Sequence, residues 1–232
     1  MTSGTARAEQ DDVFASEAPP RAVLFDFGGV LTTSVFESFA RCSLEISGDP
    51  DLLLQVVAQD EAASAALVEH ECGRIEDEEF EAAVARALAA RGVEIEPDGL
   101  IAAMQRGLER DVAMRTAVER LREHGVAVAL VSNSLGRDCY TGHDLDELFD
   151  VQVISGREGV RKPSRALYRI ACERLDVSPA EALMVDDLAI NVRAAHALGL
   201  GGVVHRSAER TIGHLADLLS LPVGDLRAEN RS

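Results

Sequence analysis

Apolar residues along this chain fall into two rhythms. Short apolar runs occupy residues 23–25, 126–131, 151–154 (interrupted by Gln152), 182–185 and 202–204. An apolar run without polar alternation suits a strand buried on both faces, so each is expected as a strand of a parallel sheet. Between them lie longer stretches with apolar positions three and four apart, the spacing that lines one face of a helix. The stretch 114–124 stops before Gly125, 164–175 follows Pro163, and 188–198 stops before Gly199. Glycine just past a helix end and proline just before its start are favoured by backbone geometry. Strands alternating with helices predict an α/β fold: a doubly wound, Rossmann-like parallel sheet.

One region breaks the alternation. Residues 34–112 carry helical patterns at 52–69, at 77–91 and after Pro97-Asp98, with Gly73 as a break midway and no convincing strand. An all-helical insert after the first strand is therefore expected. The resulting organisation is a polar, acidic leader at 1–20 ending in Pro19-Pro20, a core formed by 21–33 and 113–221, the insert at 34–112, and a tail at 222–232. Leader and tail lack the apolar content to fold by themselves and are expected to be disordered and flexible.

Composition narrows the function classes. The 232 residues suffice for one sizeable core with a subsidiary lobe. A net charge of −17 argues against nucleic acid and anionic membrane surfaces as partners. No apolar run approaches the roughly 18 residues of a membrane span, and no signal-peptide pattern opens the chain. Cys42, Cys72, Cys139 and Cys172 are widely spaced, without a CxxC pair. They are read as reduced packing residues of a cytoplasmic protein rather than a zinc site or disulfide framework.

Candidate chemistry gathers at the predicted strand ends. The first run closes on Asp26, followed by Gly28 and Gly29, which allow a tight turn and close backbone approach to a bound group. An aspartate there is either a carboxylate nucleophile or a hard-metal ligand. The second run ends Ser132-Asn133, whose hydroxyl and neighbouring N–H groups can hold an anion. A basic turn holds Arg161-Lys162-Pro163, and Lys162 offers a point charge to phosphate. The fourth run ends Asp186-Asp187, hard oxygen donors suited to magnesium. Each taken alone could be a helix cap or solvated turn. A parallel sheet places all four on one edge, where they converge.

The four motifs, Asp26 in DFGGVLT, Ser132 in LVSNS, Lys162 in RKP and Asp186-Asp187 in VDDLAIN, together resemble the haloacid dehalogenase-like superfamily of hydrolases over residues 21 to about 220. The insert resembles that family's C1-type cap, with the segment 71–80 similar to its substrate-facing helix–loop–helix. Within the superfamily the chain looks closest to the phosphatase domain at the N-terminus of soluble epoxide hydrolases and to related small sugar-phosphate phosphatases. The resemblance implies a Mg2+-dependent phosphomonoester hydrolase acting on a small phosphorylated metabolite, with no nucleic-acid or membrane partner, as monomer or homodimer. It implies Asp26 as the nucleophile that forms an aspartyl-phosphate, and Ser132, Asn133 and Lys162 as the phosphate-binding set. Magnesium would be held by Asp26, the Gly28 carbonyl and Asp187, with Asp186 assisting directly or through water.

Gly28 departs from the pattern. Most family phosphatases carry there a second aspartate that protonates the leaving oxygen. Three answers stay open: a group from the insert replaces that acid, the leaving group needs none, or the protein binds phosphorylated ligands with weak turnover. The competing reading is a 2-haloacid dehalogenase, in which the same aspartate attacks carbon and no metal takes part; the acidic pair Asp186-Asp187 speaks against it.

Overall fold

The computed structural model describes residues 12–228. It opens with β1 (Val13–Phe14) and β2 (Ala22–Phe25), followed by five helices. These are α1 (Val35–Ser47), α2 (Leu52–Gln59), α3 (Glu61–Glu71), α4 (Asp77–Ala89) and α5 (Leu100–Gln105). The alternation then resumes with α6 (Val112–Glu123), β3 (Ala127–Ser132), α7 (Leu145–Leu148), β4 (Val151–Ile154), α8 (Ser155–Glu158) and α9 (Arg165–Arg174). It closes with β5 (Ala182–Asp186), α10 (Ala189–His196), β6 (Gly201–Val204) and α11 (Ala208–Leu219).

The strands form one sheet in the order β1-β6-β5-β2-β3-β4, parallel throughout except for β1. Successive residues of a strand face opposite ways, which gives the sheet two cores. Val23 and Phe25 face a cluster with Met114, Val118 and Leu121 of α6 and Leu215 of α11. Ala22 and Leu24 face the other side, against Leu167, Tyr168 and Ala171 of α9. The five helices of the insert enclose a third cluster of their own, built on Phe39, Leu53, Val56, Phe80, Leu88 and Met104.

Local signals explain the boundaries. Asp111 and Ser164 cap α6 and α9 through hydrogen bonds to the backbone N–H groups of Met114 and Ala166. The helical pattern over 52–69 is two helices, not one, because Asp60 takes an extended conformation and its side chain accepts from Ala63 N at 3.1 Å. It thereby closes α2 and caps α3. Gly73 turns with φ +67°, and the Gly156 carbonyl occupies the space a β-carbon would need.

Both chain ends need correction. Residues 1–11 of the expected leader lie outside the described residues, but Val13–Phe14 is an ordered strand antiparallel to β6, in register with Val203 and Gly202. The backbone N–H of Val204 donates to Asp12 O at 2.7 Å, so the edge of the sheet orders a segment whose composition alone reads as disordered. In the expected tail, residues 223–226 form a 3-10 turn that sinks Leu226 into the α6 side of the core, where it has no exposed surface. Leu226→Ala is therefore expected to cost about 2–4 kcal/mol in urea unfolding, as for other fully buried leucines. A frayed tail would give no change.

Candidate active site

β5, β2 and β3 are adjacent, and Phe25 pairs with Val185 on one side and Leu130 on the other. Their carboxyl ends thus bring Asp26, Ser132 and Asp186 together. From β2 the chain crosses to β3 on one flank, while β5 lies on the other, which is the crevice where open α/β sheets receive ligands.

Lys162 reaches this crevice from the turn before α9 and is almost wholly buried. Its Nζ lies 2.7 Å from Asp26 Oδ1 and 2.7 Å from Asp186 Oδ2. Asn133 holds the lysine in place: its Oδ1 accepts from Lys162 N at 2.8 Å and its Nδ2 donates to Lys162 O at 3.3 Å. Asp186 is saturated. Its Oδ1 accepts from Leu188 N at 2.9 Å, and Asn191 Nδ2 lies 3.0 Å from both of its oxygens. Ser132 Oγ accepts from the Tyr140 hydroxyl at 2.9 Å.

The charges do not balance locally. Asp26, Asp186 and Asp187 offer oxygens that lie within 4.8 Å of one another, against the single ammonium of Lys162. Burial pushes the Asp26 carboxyl up to about 8, opposed by Lys162 and reinforced by Asp186 and Asp187. Burial, then Asp186, raises Asp187 to about 6. Burial alone would lower Lys162, but Asp186 and Asp26 outweigh it, so its ammonium is held above the ordinary range. Three carboxylates sharing one cation have the donor chemistry of a divalent-metal site. Asp26 and Asp187 have capacity for it, whereas the oxygens of Asp186 are taken by protein donors. Gly29 adopts φ +78°, and the Asp187 carboxylate fills the place its β-carbon would take. The glycine is therefore what lets that carboxylate lie over the turn.

Gly28 is different. It needs no left-handed conformation; instead a methyl group of Val35 occupies the position of its missing β-carbon. An apolar side chain thus fills the space beside Gly28.

A cavity of about 400 Å³ opens above Asp26, Ser132, Lys162 and Asp187. Its far wall is the insert, with Val35, Phe36, Phe39, Leu54, Val57 and Leu67. Two polar residues at its rim went unassigned from sequence. Glu71, at the end of α3, lines the cavity together with Arg161, and burial pushes its carboxyl up to about 7 against Arg161 and Lys162. No local spacing reveals that the end of a helix in the insert meets the basic turn before α9. Asn191 and Tyr140 were also unassigned, although Asn191 stands five residues after Asp186, on the first turn of α10.

Three further polar residues, His70, Arg74 and His143, are engaged away from the strand-end carboxylates. His70 is buried, stacks on Phe80 and lies 2.8 Å from Asp77. Arg74 pairs with Glu69 and donates to Gly159 O. His143 packs edge-on against Phe27, and burial lowers its tendency to take a proton.

Lys162→Met should leave two buried carboxylates without their cation. In metal-free protein at neutral pH we expect a loss of about 3–5 kcal/mol in urea unfolding. The loss should grow at pH 9, above the raised value of about 8, where Asp26 of the wild type ionises against Lys162 and the variant has no cation to meet that charge. A pH-independent loss would mean that only packing was disturbed.

Comparison with known proteins agrees with this geometry. The haloacid dehalogenase-like hydrolase family matches residues 20–199. Over 99 residues, 41% of this chain and 50% of the relative, the sequence is 34% identical to a sesquiterpene phosphatase, astK, of Aspergillus oryzae. The chain spans at most about six tenths of the first curated relatives it matches. The fold is shared with a family enzyme of Bacteroides thetaiotaomicron in complex with magnesium and inorganic phosphate, at TM-score 0.60 and 20% identity over 81% of this chain and 94% of the other. It is shared equally with the L-2-haloacid dehalogenase of Xanthobacter autotrophicus, at TM-score 0.61 and 23% identity over 88% of this chain and 84% of the other. With its fold and the greater part of its length matched in this way, the chain belongs to the haloacid dehalogenase-like hydrolases.

Proposed function

We propose that the protein is a magnesium-dependent phosphomonoesterase whose substrates carry an apolar organic group. The observation that carries this reading is the charge imbalance at the strand ends: three carboxylates converge on one lysine. A divalent cation would neutralise that site and let it accept an anionic phosphoryl group, whereas a haloacid dehalogenase has no use for a third carboxylate.

In this reading Asp26 Oδ attacks phosphorus and the ester oxygen leaves, giving an aspartyl-phosphate that water then hydrolyses. Lys162 and Ser132 hold the transferring phosphoryl oxygens, with the backbone N–H of Asn133 beside them, since its side chain is committed to Lys162. Asp26, the Gly28 carbonyl and Asp187 would hold magnesium, and Asp186 fixes Lys162 and the turn to α10. The metal would supply charge neutralisation at the phosphoryl oxygens. The apolar wall of the insert sets the organic part of the substrate, because a hydrated sugar would lose its hydrogen bonds against Phe36, Phe39 and Leu54. The relative named a sesquiterpene phosphatase supports the same assignment.

Magnesium-dependent release of phosphate from p-nitrophenyl phosphate, set against chloride release from 2-chloropropionate, tests the reading. Phosphate release alone is expected, and Asp26→Asn should reduce it to below a tenth of wild type while the variant melts normally. Chloride release, or activity retained in Asp26→Asn, would overturn it. Phosphate binding without turnover would identify a phospho-ligand-binding protein instead.

A further inference from the structure

A phosphatase without a carboxyl at position 28 needs another route for the proton that the departing oxygen takes up. We propose that Glu71, at the rim of the cavity, is the proton donor to that oxygen and the base for the attacking water; this rests on the phosphomonoesterase reading above.

Position supports the assignment first. Glu71 belongs to the insert and lines the same cavity as Asp26, Ser132 and Lys162, the space into which a leaving group would depart. Its helix end is fastened to the core at three points. Ser155 Oγ donates to Glu71 O, Arg74 Nη1 donates to Gly159 O at 3.1 Å, and Gly73 lies directly against the Gly156 carbonyl. The carboxyl is therefore held by the core although its chain segment lies in the insert.

Hydrogen bonding supports it second. Arg161 Nε lies 2.7 Å from Glu71 Oε2, yet its N–H is directed to Lys162 O at 3.3 Å. Glu71 Oε2 is a buried oxygen that receives no hydrogen bond. The neighbouring Arg161 charge favours the ionised carboxylate while burial favours the neutral acid, so the two forms are set against each other. The charged groups facing it are Arg161 and Lys162 from the core turn, with the Arg74–Glu69 pair beside it on the insert. The balance holds its carboxyl at about 7, where a group can both give and accept a proton.

The steps then balance. As Asp26 Oδ bonds to phosphorus, the P–O ester bond breaks and its electron pair stays on the ester oxygen. The proton of Glu71 moves to that oxygen, releasing the alcohol and leaving a Glu71 carboxylate. Water next attacks phosphorus from the same side and gives its proton to Glu71, while the Asp26 carboxylate departs. Glu71 ends as it began, and one water is consumed for each alcohol and phosphate released.

The test is the dependence of kcat/KM on the basicity of the leaving group, across a series from p-nitrophenyl phosphate to simple alkyl phosphates. The wild type should show a shallow dependence. Glu71→Gln should steepen it, lowering alkyl phosphates by at least about 10²-fold relative to p-nitrophenyl phosphate, the range expected for a lost general acid. Adding Gly28→Asp with Val35→Ala, which clears the space for the side chain, should restore part of the alkyl activity. A steep dependence in the wild type would overturn the proposal, and that arm requires no variant to fold. So would an equal loss on both substrate classes in Glu71→Gln, which is what a purely structural contact with Arg161 would produce. Failure of the phosphatase reading itself is distinguishable, because the wild type would then release no phosphate from either class.

Discussion

Everything at this site depends on one buried ammonium shared between two carboxylates. Lys162 reaches Asp26 and Asp186 at the same 2.7 Å, and its backbone is pinned by the Asn133 amide. Such an arrangement is costly to bury unless every charge has a partner. Lys162 satisfies Asp186, whose other contacts come from Asn191 and Leu188, and leaves Asp26 and Asp187 with charge to spare. That surplus is what a divalent cation would meet, with a phosphoryl group held through it and Lys162. The sheet makes it possible: three parallel strands, with Phe25 in register between Leu130 and Val185, deliver their polar ends to one edge.

The insert supplies what the sheet edge lacks. Its own apolar cluster makes it a packed unit, and its inner surface places Val35, Phe36 and Phe39 in one cavity with the strand-end carboxylates. Two adjacent glycines behave in opposite ways beneath it. Gly29 is required by its backbone conformation and by the Asp187 carboxylate above it, whereas Gly28 is filled by Val35. Val35, filling the space beside Gly28, makes the cavity more apolar. Glu71, from the insert, adds a carboxyl to the cavity lining.

The parallel strands were legible in the sequence because each is a short apolar run closed by a polar residue. Asp26, Ser132, Lys162 and Asp186-Asp187 were legible because strand ends in such a sheet must share an edge. The edge strand Val13–Phe14 was not, since two residues carry no periodicity and only the exposed side of β6 orders them. Leu226 was hidden for a related reason: a single apolar residue in a polar tail becomes core only once α6 is in place. Asp60 divides a helical pattern that periodicity alone reads as unbroken, because its capping geometry competes with continuation of the helix. Glu71 and Arg161 meet across ninety residues of sequence, and nothing local to either records the other.

The most direct measurement of the central claim is acid quenching of the magnesium-loaded enzyme during turnover of an aryl phosphate, followed by peptide mass mapping. A phosphoryl group on the peptide that holds Asp26, released by hydroxylamine, is the predicted result. Turnover with no covalent phosphate at Asp26, or with the phosphoryl group on another residue, would contradict the account.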